Sequence, residues 1–191
     1  YLSDNNLLSP EETLTIYLNT LKSMNTEQMG NYLGIESLLN TSDSDKNSIA
    51  SALVEQVHQN FDFKITNCEE QGYTATVSTT ITTFDSTSIL NTFSQEQDAY
   101  LSSADAVIDG SEKRYQKSLE MLLNDIKNNT ANITSTADFH LTNDGVSWKL
   151  DDSNTTIGNA IFGTLSNSPV SEETEDADSS EDDSYAEESE D

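Results

Sequence analysis

Apolar side chains recur along this chain with two different periods, and the switches between them predict its elements. The stretch "SPEETLTIYLNTLKSMN" reads as a helix: Ser9 stands at the N-cap, Pro10 at the first helical position and Glu12 where a capping box wants it, with Leu14, Tyr17, Leu18 and Leu21 on one stripe. A second helix is expected over Thr26 to Leu33, stopping near Gly34, and a third from about Asp45 to Asn60 with Ile49, Leu53 and Val57 aligned. The period then becomes two. "FDFKITN" alternates Phe61, Phe63 and Ile65, turns through Glu69 to Gly72, and leads into "GYTATVSTTITTFD". There Tyr73, Ala75, Val77 and Ile81 point one way and Thr74, Thr76, Ser78, Thr80 and Thr82 the other, the pattern of a half-buried antiparallel hairpin. Helical spacing returns over residues 86–128 as two helices. Ile89, Leu90, Phe93, Tyr100 and Leu101 mark the first, Tyr115, Leu119, Leu122, Leu123 and Ile126 the second, and the break is expected at Asp109–Gly110. Two more strands follow, joined through "TNDG": one turns Ile133, Ala137, Phe139 and Leu141 inward, the other Val146, Trp148 and Leu150. A short helix near Thr155 to Phe162 closes the pattern.

This order predicts an α+β fold, N-terminal helices followed by a curved antiparallel sheet with an inserted helical hairpin. With 191 residues and 34% apolar content the chain can bury one core. The expected organisation is a linker over 1–8, one domain over 9–165 and an acidic disordered tail over 166–191, with the boundary near Pro169. From Ser171 onward there are 12 acids and no base, with no aliphatic larger than alanine to offset the entropy of ordering. Overall, 35 acids against 8 bases leave a net charge of -27, which repels phosphate backbones and anionic lipid. Nucleic acid is thereby excluded as a partner, and the tail's own reach is toward cations or basic partners. A single cysteine, Cys68, allows no internal disulfide and reads as a small core or turn residue. No run approaches the length of a membrane span, and the chain opens at Tyr1 without methionine or an apolar leader, so the true N-terminus is expected to have been removed or to be absent.

Candidate chemistry is sparse. Asp43 to Asn47 alternates oxygens like the start of a calcium loop, but Ser48 holds the glycine position and Val54 the twelfth, and Ser44 or Asp45 serves equally to cap a helix. His58 and His140 lack partners at metal-ligand spacing. Parity turns His140 to the outer face beside Asp138, away from the position a general base would need. Sequons at Asn40, Asn128, Asn132 and Asn154 are what a chain rich in Asn, Thr and Ser produces by chance. No catalytic residue, cofactor or metal ligand is assigned.

Three quoted stretches, "SPEETLTIYLNTLKSMNTEQM", "GYTATVSTTITTFD" with its small-x-Val-x-x-x-Ile-Thr-Thr-x-Asp pattern, and "DGVSWKLDD", carry a resemblance. Over roughly residues 9–163 the chain resembles the nuclear-transport-factor-like (cystatin-like) α+β cone, and within it small lipoprotein domains of unknown function from Firmicutes and related gut bacteria. The resemblance implies a signal peptide, a lipid-modified cysteine ahead of the domain, and a place on the extracellular face of the cell membrane. The expected role is a non-catalytic, monomeric surface module binding a protein or small-molecule ligand; the alternative is a cone-fold isomerase or dehydratase acting on a small apolar substrate. The interior separates the two. A plug of Phe61, Phe63, Val77, Phe139 and Trp148 argues for a scaffold, and an open cavity with a buried carboxylate for chemistry.

Overall fold

A computed structural model of the chain describes residues 7–33, 44–166, 170 and 173. Three helices come first: α1 (Pro10–Ser23), α2 (Thr26–Leu33) and α3 (Ser44–Asn60). Strands β1 (Asp62–Gln71) and β2 (Thr74–Phe84) follow, then the helical hairpin α4 (Ser86–Leu101) and α5 (Ala104–Lys127), strands β3 (Asn132–Asn143) and β4 (Trp148–Leu150), and α6 (Asn154–Phe162) running into a 3-10 turn over Gly163–Ser166. The four strands form one antiparallel sheet in the order β1-β2-β3-β4. The α+β arrangement read from the sequence is the one observed.

The caps explain the helix starts. The Ser9 hydroxyl accepts from the Glu12 N–H at 3.0 Å and Pro10 opens α1, while Ser153 does the same for Thr156 at the start of α6. Helices α1, α3 and α6 pack on one face of the sheet, and α5 packs on α3 with α4 beside it. Their stripes meet the inward residues of β2 and β3 in one core that includes Leu14, Leu53, Val77, Phe84, Phe139 and Phe162. Helix α6 comes so close to α2 that a Cβ on Gly158 would overlap the Leu33 carbonyl.

Several side chains depart from the expected parity. Tyr73 sits in the β1–β2 turn behind Gly72 (φ 63°) and is 70% exposed, so the inward series of β2 begins at Ala75. Val146 falls in a turn organised by Asp144, whose carboxylate accepts from the N–H groups of Val146 and Ser147 at 2.9 and 2.8 Å, and it is 73% exposed. Strand β4 is consequently three residues long, and Trp148 is half-buried against the core rather than enclosed. Ile133, near the start of β3, is also exposed. The helical hairpin turns at Ser102–Ser103, where Ser103 caps α5, and Gly110 (φ 78°) makes a kink inside α5 instead of the break between helices.

Residues 1–6 of the expected linker, the Gly34 stop, the Asn40 sequon, Asp43 of the calcium-like stretch and most of the acidic tail fall outside the described residues, while residues 44–47 of that stretch open helix α3. Of residues beyond 166, Val170 is buried in the core and Glu173 pairs with Arg114 at 2.8 Å.

Candidate functional site

On the inner face, ladder partners run Phe63–Ile81–Ser135, Ile65–Thr79–Ala137 and Cys68–Val77–Phe139 across β1, β2 and β3. Phe61, Val77 and Phe139 are buried, with Phe63 and Trp148 packed against them. The five residues expected to plug the interior therefore all belong to the core or its margin. Two inward threonines were not singled out by the sequence reading, although their odd numbering places them there. Thr83 donates its hydroxyl to the Ile161 carbonyl at 3.1 Å and ties β2 to α6; Thr79, fully buried, has no hydrogen-bond partner among the described residues. Tyr17 on α1 turns its hydroxyl inward, and burial, then Tyr32 and Asp152, push its pKa far up, so it stays protonated.

The outer face is a sheet of hydroxyls. Thr82, Thr80, Ser78, Thr76 and Thr74 of β2 stand beside Thr134, Thr136, Asp138, His140 and Thr142 of β3, and Thr82 and Thr134 share a hydrogen bond of 3.1 Å. His140 points outward as parity required, but its carboxylate is Asp152 from the segment after β4, not Asp138. Asp152 accepts from the His140 backbone N–H at 2.7 Å and lies 3.3 Å from Nδ1. The His140 side chain remains 58% exposed. His58 is elsewhere, its Nε2 at 2.7 Å from the Met24 carbonyl, joining α3 to the end of α1. The two imidazoles do not share a site, and among the described residues no three His, Cys, Asp or Glu side chains gather as metal ligands.

The hollows described lie on the surface, not under the sheet. One of about 420 Å³ runs between the start of α1 and strand β1, lined by Leu8, Glu11, Glu12, Thr15, Ile16 and Ile65. Beside it a β-bulge between Ile65 and Asn67 shifts the register of β1. Ile65 faces inward before the bulge and Cys68 after it, which brings the thiol to the same side despite its even number. Burial, then Glu11, raise the Cys68 pKa, which favours the protonated thiol. A second hollow, of about 210 Å³ between the start of α4 and the end of α5, includes Asp125. That carboxyl is pushed up to about 6 by burial and by Glu96 across the hairpin.

A polar cluster that the sequence reading missed organises the hairpin tip. Asp109, just before the Gly110 kink, accepts from the Tyr100 hydroxyl at 2.5 Å and from Lys117 Nζ at 2.6 Å, with Lys113 at 3.5 Å. Arg114 donates to the Ala106 carbonyl at 2.7 Å and to both carboxylate oxygens of Glu173. The i,i+4 spacing of Asp109 and Lys113 was visible in the sequence; the convergence of Tyr100 and Lys117 required the hairpin.

No protein-family model matches the chain, and no curated protein matches it. Among solved structures it is similar to ycdA of Bacillus subtilis, described as a candidate lipoprotein, with 15% identity and a TM-score of 0.48 over 81% of this chain. The match covers 47% of that protein, so this chain spans about half its length. No described helix is long and apolar enough to cross a membrane.

Proposed function

We propose that this domain is a non-catalytic extracellular module of the cystatin-like cone type, carried on a bacterial cell surface by an N-terminal lipid anchor, and that it acts by binding a partner. The observation that carries this reading is the filled inner face. A cone-fold isomerase or dehydratase would hold its substrate and general acid or base there; here Val77, Ile81, Phe139 and Leu141 meet helices α1, α3 and α6. The hydroxyls that turn inward from β2 and α1 are those of Thr79, Thr83 and Tyr17, the last held protonated, while His140 stands on the opposite face and His58 is bound to the Met24 carbonyl. The three stretches that resemble surface lipoproteins support the compartment, and a net charge of -27 keeps the module off nucleic acid and anionic lipid.

Two measurements test the two halves of the reading. The protein, expressed from its own gene in a Gram-positive host and fed a radiolabelled fatty acid, should carry the label and sediment with membranes; unlabelled protein in the cytosol would overturn the placement. In a thermal-shift screen of small apolar compounds, none should raise the melting temperature. A compound that did, with its effect lost in Tyr17→Phe or Thr79→Val, would reveal an inner site and favour the enzyme reading.

A further inference from the structure

Among the described residues strand β1 is an edge: it runs for ten residues, Asp62–Gln71, and its only ladder partner there is β2. An unpaired edge offers its backbone donors and acceptors to any extended chain, and proteins normally blunt it. In β1 the blunting is partial: the bulge after Ile65 bends the strand, and the Phe63 N–H turns back on the Asp62 carboxylate at 2.9 Å. Beside this edge lies the hollow under α1, where Leu8 and Ile16 remain 46% and 52% exposed over Ile65. A strand laid along β1 would send every second side chain toward that hollow.

Charge selects what that strand can be. Glu11 and Glu12 rim the hollow, and β1 itself carries Asp62, Glu69 and Glu70 against Lys64 as its single base. The chain's own ends do not fit. Residues 1–6 carry Asp4 and no base, and the stretch after Ser171 has 12 acids. A second copy would bring the same acidic edge and another -27. We infer that the groove between α1 and the free edge of β1 takes an extended segment of a partner protein, with alternating apolar residues and basic flanks, which adds to the sheet as a fifth strand. This rests on the binding role proposed above and gives it a place and a partner chemistry.

The test uses a fluorescent heptapeptide, acetyl-Lys-Val-Lys-Val-Thr-Val-Lys-amide, titrated into the full chain and followed by anisotropy. Saturable binding is expected, weakened at least about tenfold between 50 and 500 mM salt as exposed charges are screened. The same peptide should slow alkylation of Cys68, the one native thiol, whose side chain lies behind the groove against Glu11. Ile16→Asp, at a half-exposed site, should abolish binding with the melting temperature retained; Leu8→Asp, ahead of the first helix, is the second variant should Ile16→Asp fail to fold. Any of four results overturns the inference: no binding, equal binding of the peptide with Glu in place of Lys, undiminished binding when alternate peptide amides are N-methylated, or a dimer in sedimentation that Ile16→Asp dissolves. A failed titration with membrane labelling intact removes this site alone. Lost labelling removes the surface reading and leaves the titration standing.

Discussion

Helix α3 and the far end of the α4–α5 hairpin are both helical, yet different forces hold them. Helix α3 sends Ile49, Ala50, Leu53, Val54 and Val57 into the core, and its one buried amide, Gln56, accepts at Oε1 from the Asn60 and Asn129 side-chain amides at 3.2 and 3.1 Å. The hairpin tip buries Ala106 and little else, leaves Val107 and Ile108 80% and 79% exposed, and is fixed by Asp109, Lys117, Arg114 and the Tyr100 hydroxyl. Apolar burial is non-directional and indifferent to pH, whereas a cluster of partly exposed charges depends on ionisation and salt. Volume-changing substitutions should therefore damage the first region, and acid the second.

The largest effect is expected at the centre of α3. Leu53→Ala leaves a cavity in the core, where the side chain is fully buried, at a cost of about 2–5 kcal/mol out of a stability of about 5–15 kcal/mol. Denaturant melts should show it, and a loss below about 1 kcal/mol would mean that α3 is not the central helix. A comparable loss, about 3 kcal/mol, is expected for Gly158→Ala, because the added methyl meets the Leu33 backbone rather than a side chain that can move. Rescue of that variant by shortening a neighbouring side chain would contradict the backbone contact.

The same contrast accounts for what could be read in the sequence. Caps and stripes are local: Ser9, Pro10 and the Leu14–Leu18–Leu21 stripe placed α1 without reference to anything distant. Parity is local too, and Ala75, Val77 and Ile81 obeyed it. It failed at Tyr73 and Val146, which continue the alternation into turns where nothing lies opposite them. The bulge in β1 hides in the sequence because Cys68 looks out of phase with Phe63 and Ile65 until an extra residue is inserted. The groove depends on which strand ends the sheet, a property of strand order and not of any one segment. The Asp109 cluster likewise joins residues that only the hairpin brings together.

Trp148 tests the margin of the core. Since it is half-buried at the end of β4, Trp148→Ala should cost about 2 kcal/mol, less than for an enclosed aromatic. Its fluorescence should be quenched by acrylamide in the folded protein. A cost near 5 kcal/mol with a shielded indole would place it fully inside.

Asp125 should respond in the opposite direction. Burial, then Glu96, raise its folded pKa to about 6, above the ordinary carboxyl value, so its charging opposes folding. That penalty is absent below about pH 4, grows between about 4 and 6, and is complete at neutral pH. Asp125→Asn should stabilise the protein at pH 7 by about 1 kcal/mol after allowance for solvent screening, and do nothing at pH 4. Equal stability of the two proteins at both pH values would show that the carboxyl is ordinary.

The smallest effect, and the most diagnostic of the hairpin tip, is expected from Asp109. The hydrogen bond from Lys117 and then that from Tyr100 lower its pKa to about 2, with the charges of Lys117 and Lys113 adding to them against the opposing effect of burial. A folded value below the unfolded one means that ionised Asp109 favours the native state. Its contribution is fully present above about pH 4 and is lost as pH falls through about 2. Asp109→Asn keeps the shape and most of the Tyr100 contact but removes the charge, so at pH 7 it should lower the melting temperature only slightly, while amide exchange quickens at residues 106–110. The gap between variant and wild type should close as pH falls from 4 to 2, and at pH 7 it should narrow in high salt. Helix α3 amides should be unaffected throughout. If they quickened with those of the tip, the two regions would unfold as one unit, and the separation between an apolar centre and an ionic tip would fail.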